Sequence, residues 1–271
     1  MEEEIKKNVL VERIQLKAAD QYMGLITLNR SKELNPLDWS TVKELRAALE
    51  DIAANKGVRV IAITGAGRAF SAGGDMKGYL TLMRDEEGFR GFLQDFYSTF
   101  EFMQTLAQPI IALVNGYCVA GGIELLLACD FAYAAKSAKI GDGHTNFGQI
   151  GGAGSNIRLP RWISLPRARE LLFTGRLLSA DEALEWGLVN KVVPDDKLLE
   201  AGLEFANVVA TKSPLGIRII KELCNRGSSM RLEDALHLEI QEVHHYSLTS
   251  HDSREGLLAF SEKRQPKFEG R

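Results

Sequence analysis

The sequence predicts an α/β fold built on a parallel sheet, followed by a helical C-terminal region. Three observations carry this reading. Strand-like apolar runs alternate with amphipathic helical patterns up to about residue 200. Runs of glycine follow the buried strand-like segments at short distance. From Leu198 onward, charged and apolar residues intermix at helical spacing without a clear strand. Alternating helix and strand returns each strand in the same direction, as a parallel sheet requires.

The elements follow in order. Val9-Leu10-Val11-Glu12-Arg13-Ile14 and Gly24-Leu25-Ile26-Thr27-Leu28 are short, β-branched runs bounded by Asp20 and Asn29. Asp38 reads as the N-cap of a helix with Val42, Leu45, Leu49 and Ile52 on one face and Gly57 just past its end. Residues 58–64 form a buried strand, and a helical pattern from about Asp85 to Ala107 stops before Pro109. Ile110-Ile111-Ala112-Leu113-Val114 is the next buried strand. The predicted organisation is an α/β core over 1–200 and a helical region over 201–271.

Composition excludes several function classes. The 271 residues fit one large domain or a core with an appendage. Apolar residues at 45% and charged residues at 25% are the ordinary globular balance, which excludes disorder as the main state. A net charge of −3, with no Lys/Arg cluster, argues against nucleic acid as a partner. No run approaches the ~20 apolar residues of a membrane span. The start, Met1-Glu2-Glu3-Glu4-Ile5-Lys6-Lys7, lacks the features of a signal or transit peptide. Cys118, Cys129 and Cys224 form no CxxC pair, as expected for a reduced compartment. The expectation is a soluble, cytoplasmic protein with no membrane partner.

Glycine marks the expected site. Its runs are Gly65-Ala66-Gly67, Gly73-Gly74, Gly121-Gly122 and the segment Gly141 to Gly154. Loops at the carboxyl ends of parallel strands are where open α/β folds bind ligands. A dinucleotide loop fits poorly, because Gly65-Ala66-Gly67-Arg68-Ala69-Phe70 puts Phe70 where the third glycine packs helix on strand. No phosphate-binding P-loop, G-x-S-x-G elbow or H-E-x-x-H pair occurs, and the histidines read as solvated side chains rather than metal ligands. Gly121-Gly122 opens the apolar run Leu125-Leu126-Leu127-Ala128-Cys129, a buried helix whose first N–H groups suit a developing oxyanion. Glu124 lies one turn in, either facing the same site or complementing the helix dipole.

Taken together, these segments resemble the crotonase (enoyl-CoA hydratase/isomerase) family. The resemblance runs from about Ile14 to the C-terminus. It is carried by Leu28-Asn29-Arg30, Leu34-Asn35, Ala69-Phe70-Ser71-Ala72-Gly73-Gly74-Asp75, Val114-Asn115-Gly116, Gly151-Gly152-Ala153-Gly154, Thr174-Gly175-Arg176, Glu185-Trp186-Gly187-Leu188-Val189 and Ala259-Phe260-Ser261-Glu262-Lys263-Arg264. It implies a spiral of β-β-α turns and a C-terminal trimerisation region, in a trimer or a dimer of trimers. It implies an oxyanion hole made by the N–H groups of Gly74 and Gly121. Lys32, Leu34, Pro36, Ala72, Asp75, Met76 and Lys77 fall where the family lines its CoA channel. Phe260 and Lys263 fall where a neighbouring subunit's tail reaches the CoA phosphate or adenine. CoA arrives as part of the thioester substrate, and no metal or redox cofactor is suggested.

One departure bears on the reaction. Hydratases of this family use two glutamates facing one water. Glu124 occupies the first position, and ungapped alignment back from Gly152-Ala153-Gly154 puts His144 at the second. A histidine there can exchange a proton near neutrality. The expected function is therefore an acyl-CoA hydratase/dehydratase with a Glu124/His144 pair. An enoyl-CoA isomerase or acyl-CoA decarboxylase needs the same oxyanion hole without the second glutamate, and a noncatalytic or RNA-binding member of the fold is the remaining alternative. The stretch Tyr79 to Phe102, carrying Phe89, Phe92, Phe96, Tyr97 and Phe100, either lines or covers the acyl pocket or packs as helix core.

Overall fold

A computed structural model describes residues 7–271, and the reading of the N-terminal leader, residues 1–6, lies outside the described residues. The two opening β-runs pair antiparallel as β1 (Val9–Gln15) and β2 (Tyr22–Leu28). The following strands come in close couples: β3 (Val58–Gly65) and β4 (Ala69–Ser71), β5 (Ile110–Val114) and β6 (Tyr117–Val119), β7 (Phe131–Ala135) and β8 (Lys139–Gly141). The two-residue β9 (Leu178–Ser179) and β10 (Lys191–Val193) complete the strands.

Each couple turns a corner and lays one strand in each of two sheets. The larger sheet runs β1-β2-β3-β5-β7-β10 and is parallel from β2 onward. The smaller runs β4-β6-β8-β9, parallel except for β9. Helices return the chain between couples, which is the expected spiral of β-β-α turns. Two asparagines hold its corners. Buried Asn35 donates from Nδ2 to the carbonyls of Ala66 (3.0 Å) and Ala69 (2.7 Å). Asn115 accepts from Gly65 N–H (3.1 Å) and donates to Gly67 O (2.9 Å). Buried polar groups must be paired, so both asparagines of the sequence motifs serve the backbone of the turn.

The helices of the core are α1 (Trp39–Ala54), α2 (Met76–Leu82), α3 (Glu86–Thr105), α4 (Gly121–Ala128), α5 (Ser155–Trp162), α6 (Leu165–Thr174) and α7 (Ala180–Glu185). Asp38 caps α1, accepting from Thr41 N–H, and the predicted face of Val42, Leu45, Leu49 and Ile52 is buried. The pattern read over 85–107 resolves as α3 with Asp85 as its cap. All eight residues of α4 are buried, Glu124 included.

The C-terminal helices are α8 (Leu198–Ala210), α9 (Pro214–Gly227), α10 (Leu232–Thr249) and α11 (His251–Ser261). α8 spans residue 200 and packs Leu198, Ala201, Ala206 and Val209 with Val60, Ala62, Ile111 and Leu113 of the large sheet. The buried Lys221 ammonium of α9 pairs with Asp130 at 2.9 Å and donates to Met103 O and Gln108 O. α10 buries none of its 18 residues. Among the described residues, no helix is long and apolar enough to cross a membrane.

Candidate active site

Three loops leave the carboxyl ends of the parallel strands β4, β6 and β8 side by side, and together they build the site. After β4, Gly73 adopts φ +98°, and a Cβ there would lie 2.7 Å from Ala120 Cβ, so this position needs glycine. After β6, Ala120 takes φ 52° and ψ −117°, a conformation that L-residues avoid. It is held by its N–H donating to Asp142 O at 2.7 Å. The strained turn starts α4 abruptly and leaves Gly121 N–H at its open end. Among the described residues, neither the Gly74 nor the Gly121 N–H has an acceptor, and both glycines line one cavity. Two unpaired donors beside a helix N-terminus are a pre-formed receptor for an oxyanion.

Glu124, one turn into α4, presents its carboxylate to the same cavity while only 3% exposed. Oε1 accepts from Ala153 N–H (2.7 Å) and Ser155 N–H (3.1 Å). Oε2 has no partner among the described residues, so one oxygen is anchored and the other is left for chemistry. Burial pushes the Glu124 carboxyl above its ordinary range, and the His144 charge and the two N–H donors offset this only in part.

The loop after β8 carries His144, first residue of a single 3-10 turn over His144–Phe147. Its Nδ1 lies 3.0 Å from Asp142 Oδ2, and its backbone N–H donates to Asp142 Oδ1 at 3.2 Å. Burial alone would lower the imidazole, but the hydrogen bond and charge of Asp142, with the charge of Glu124, outweigh it and raise His144. Burial opposes ionisation of Asp142 as well, and the contacts with His144 win, lowering it. Gly151 separates His144 from Glu124: a Cβ there would lie 2.9 Å from Glu124 Oε1 and 3.3 Å from His144 Cε1. Carboxylate and imidazole therefore border the same small space.

The cavity has a volume of about 210 Å³. Leu37, Tyr79, Phe92, Phe96, Val119 and Ile150 contribute to an apolar wall, to which Glu124 and His144 add a carboxyl and an imidazole. Phe92 and Phe96 belong both to the wall and to the core, Phe89 and Phe100 pack with the core alone, and Tyr97, 62% exposed, does neither.

Of the residues singled out from sequence, Gly74, Gly121, Glu124, His144, Ala72 and Met76 converge on this cavity. Leu34 and Pro36 stand beside it, because the 34–37 segment bonds to the glycine loop through Ala72 N–H to Leu34 O and Leu37 N–H to Gly73 O, each 2.9 Å. Asp75 caps α2, accepting from Lys77 N–H at 3.1 Å. Lys32 and Lys77 are exposed nearby in sequence but outside the lining. Phe260, 87% exposed at the end of α11, and Lys263 are not part of the cavity in the single chain. Sequence reading missed Asp142, whereas Tyr79, the start of the stretch expected to line the acyl pocket, does line the cavity. The available signal for Asp142 was its place two residues before His144 in a glycine loop.

The chain matches the family model described as "Enoyl-CoA hydratase/isomerase" over residues 19–271. It belongs to that family. A probable enoyl-CoA hydratase of Mycobacterium tuberculosis is 36% identical over 97% of this chain and 98% of its own length. A crotonyl-CoA hydratase of Syntrophomonas wolfei is 32% identical over 97% of this chain and 98% of its own. Among solved structures, an enoyl-CoA hydratase from Bacillus anthracis superposes with a TM-score of 0.89 at 39% identity, covering 98% of this chain and 100% of that one. The enoyl-CoA hydratase/isomerase fold thus extends over nearly all of the chain, C-terminal helices included.

Proposed function

We propose that this protein hydrates the α,β double bond of an enoyl-CoA thioester, and catalyses the reverse dehydration, with Glu124 and His144 as the proton-handling pair. The observation that carries the reading is the meeting in one apolar cavity of two unpaired N–H donors, a carboxylate with a free oxygen and an imidazole. The thioester oxygen accepts from the Gly74 and Gly121 N–H groups. Glu124 Oε2 takes a proton from water as the water oxygen bonds to C3, and the double-bond electrons move toward the thioester as an enolate. His144 gives a proton to C2. Neutral Glu124 and neutral His144 then exchange one proton and the pair is reset. Burial makes Glu124 a stronger base than an ordinary carboxylate, and Asp142 favours the protonated form of His144, the acid.

The chemistry draws on the thioester alone and calls for no metal or redox cofactor; CoA enters with the substrate. An apolar cavity of roughly 150 Å³ holds a benzene, so about 210 Å³ admits an acyl group of at least that bulk. Leu34, Pro36, Asp75 and the two lysines Lys32 and Lys77 are assigned to the CoA side. Assembly as a trimer or a dimer of trimers is supported by α10, where Leu232, Leu236, Ile240 and Val243 form an exposed apolar stripe at helical spacing. In that assembly Phe260 and Lys263 would reach a neighbour's CoA. The absence of a basic cluster favours no nucleic-acid partner, and a cytoplasmic setting fits three unpaired cysteines.

The test is mass spectrometry of enoyl-, cyclic enoyl- and malonyl-type CoA thioesters incubated with the protein in ¹⁸O-labelled water. Gain of one labelled water on the acyl chain is the expected result. Loss of CO₂, or an isobaric product with a moved double bond and no hydration, would replace this reading by decarboxylation or isomerisation.

A further inference from the structure

His144 presents two donors on one side, its backbone N–H and its ring Nδ1, and a single buried carboxylate meets both. Asp142 is 2% exposed, with Oδ1 at 3.2 Å from the backbone nitrogen and Oδ2 at 3.0 Å from Nδ1. The arrangement is local and rigid. Asp142 follows β8 directly, its carbonyl is tied to Ala120 N–H, and Gly143 at φ 68° folds the chain back so that the carboxylate reaches the residue two further on. The same Ala120 ends the oxyanion loop, so one short segment fixes both the imidazole and the start of α4.

We propose that Asp142 is a positioning residue for hydration: it fixes the ring of His144 and holds the Nδ1 proton, so that in the imidazolium Nε2–H is the only ring proton available to the cavity and the ring left after donation is the Nδ1–H tautomer. This rests on the reading of His144 as the proton donor to C2. The two donors meet different oxygens of the carboxylate, whereas an amide in the same pose presents one oxygen and one NH₂, so that keeping the backbone N–H bond turns a donor toward Nδ1 and favours an unprotonated Nδ1. A partner on one imidazole nitrogen sets what the other can do. The charged and titratable groups around the ring are few. Asp142 lies behind it, Glu124 faces it from α4, and Tyr79 of α2 shares the cavity wall. On α6, which packs against the 3-10 turn, Arg167 pairs with Glu185, Glu170 with Arg176, and Arg169 is exposed.

The test compares Asp142→Asn, His144→Gln and the double variant by crotonyl-CoA hydration, with ¹⁵N NMR of the imidazoles, using His144→Gln to assign the His144 signals. The expected results are a kcat at least about tenfold lower in Asp142→Asn with KM changed less than about twofold, and no further loss when Asp142→Asn is combined with His144→Gln. In the unsubstituted protein, Nδ1–H of His144 should be slow to exchange and should remain when rising pH removes the Nε2 proton. That measurement stands even if Asp142→Asn does not fold. An unprotonated Nδ1, full activity in a folded Asp142→Asn, or an independent loss in the double variant overturns the proposal. Full activity in His144→Gln overturns instead the proton-donor role on which the proposal rests.

Discussion

Replacing Glu124 by glutamine separates the two jobs of its carboxylate. Oε1 is held by two backbone N–H groups, at 2.7 Å from Ala153 and 3.1 Å from Ser155, and an amide oxygen can accept from both. Oε2 has no protein partner, so an NH₂ group in its place breaks no bond. What disappears is the base. General base catalysis contributes roughly 10²–10⁴-fold, and hydration by Glu124→Gln should fall by that factor while the fold survives. Stability should hold or rise, with the sign set by burial. The folded carboxyl is raised above its unfolded value, so ionisation weakens the native state as pH climbs past the unfolded pKa, and a neutral amide removes that cost. Glu124→Ala is the contrast. It strands two buried N–H donors whose charge-assisted bonds are worth about 1.5–3 kcal/mol each, so its melting temperature should drop by several degrees. The assay is initial-rate hydration of crotonyl-CoA beside thermal melts at pH 7. A Glu124→Gln protein with more than a tenth of the native rate, or one that melts as low as Glu124→Ala, would refute the division of labour.

Three further outcomes are expected. At Gly74 a Cβ meets nothing within 4 Å. Gly74→Ala should therefore keep most activity, and Gly74→Pro, which deletes the N–H, should lose on the order of 10²–10³ in kcat; equal losses in both variants would remove this N–H from the oxyanion hole. The kcat profile should be a bell: the acidic limb follows Glu124, raised above 4.5, and the alkaline limb follows His144, raised above 6.5, because the rate needs the carboxylate ionised and the imidazole protonated. A rate that keeps rising through alkaline pH would contradict His144 as the acid. Gly151→Ala pushes a methyl to 2.9 Å from Glu124 Oε1, and the Ser155 hydroxyl, 2.1 Å away, must rotate aside. Since a misplacement of about 1 Å can cost about 10²-fold, a displacement of a few tenths should cost about three- to tenfold in kcat, read by steady-state kinetics against an unchanged melt.

Local signals made much of this molecule legible from sequence. Asp38 followed by an apolar stripe is a helix start wherever it occurs, and α1 begins there. Gly121-Gly122 before a leucine run marked α4, because only a buried helix accommodates such a run after a strand. Features that depend on distant chain meeting distant chain were less visible. Asp142 was missed although its contact is local: it reads as a turn residue in a glycine loop, and its bonds to His144, two residues on, depend on the left-handed Gly143 between them. α2 was hidden by Gly78 inside a seven-residue helix capped by Asp75, a stretch whose motif drew attention to ligand contacts instead. Phe260 and Lys263 stand outside the cavity because a single chain does not carry α11 to it.

The architecture also explains how the reaction's second proton group can differ from the glutamate usual in the family. The oxyanion donors are backbone N–H groups, and their positions depend on the spiral's corners, on Gly73 and on the strained Ala120. Those constraints involve the ends of β4 and β6 and say little about which side chain follows β8. The third loop is free to change its chemistry provided that it supplies its own support. Here it does so within three residues: a buried aspartate, a glycine that reverses the chain, and the histidine. Burial lowers the imidazole, and without Asp142 only the Glu124 charge would oppose it. The aspartate and the histidine are thus coupled requirements, and the absence of a side chain at Gly151 leaves Glu124 and the imidazole the space they share. By this argument the unit proposed to replace the second glutamate is the whole Asp142-Gly143-His144 segment rather than His144 alone.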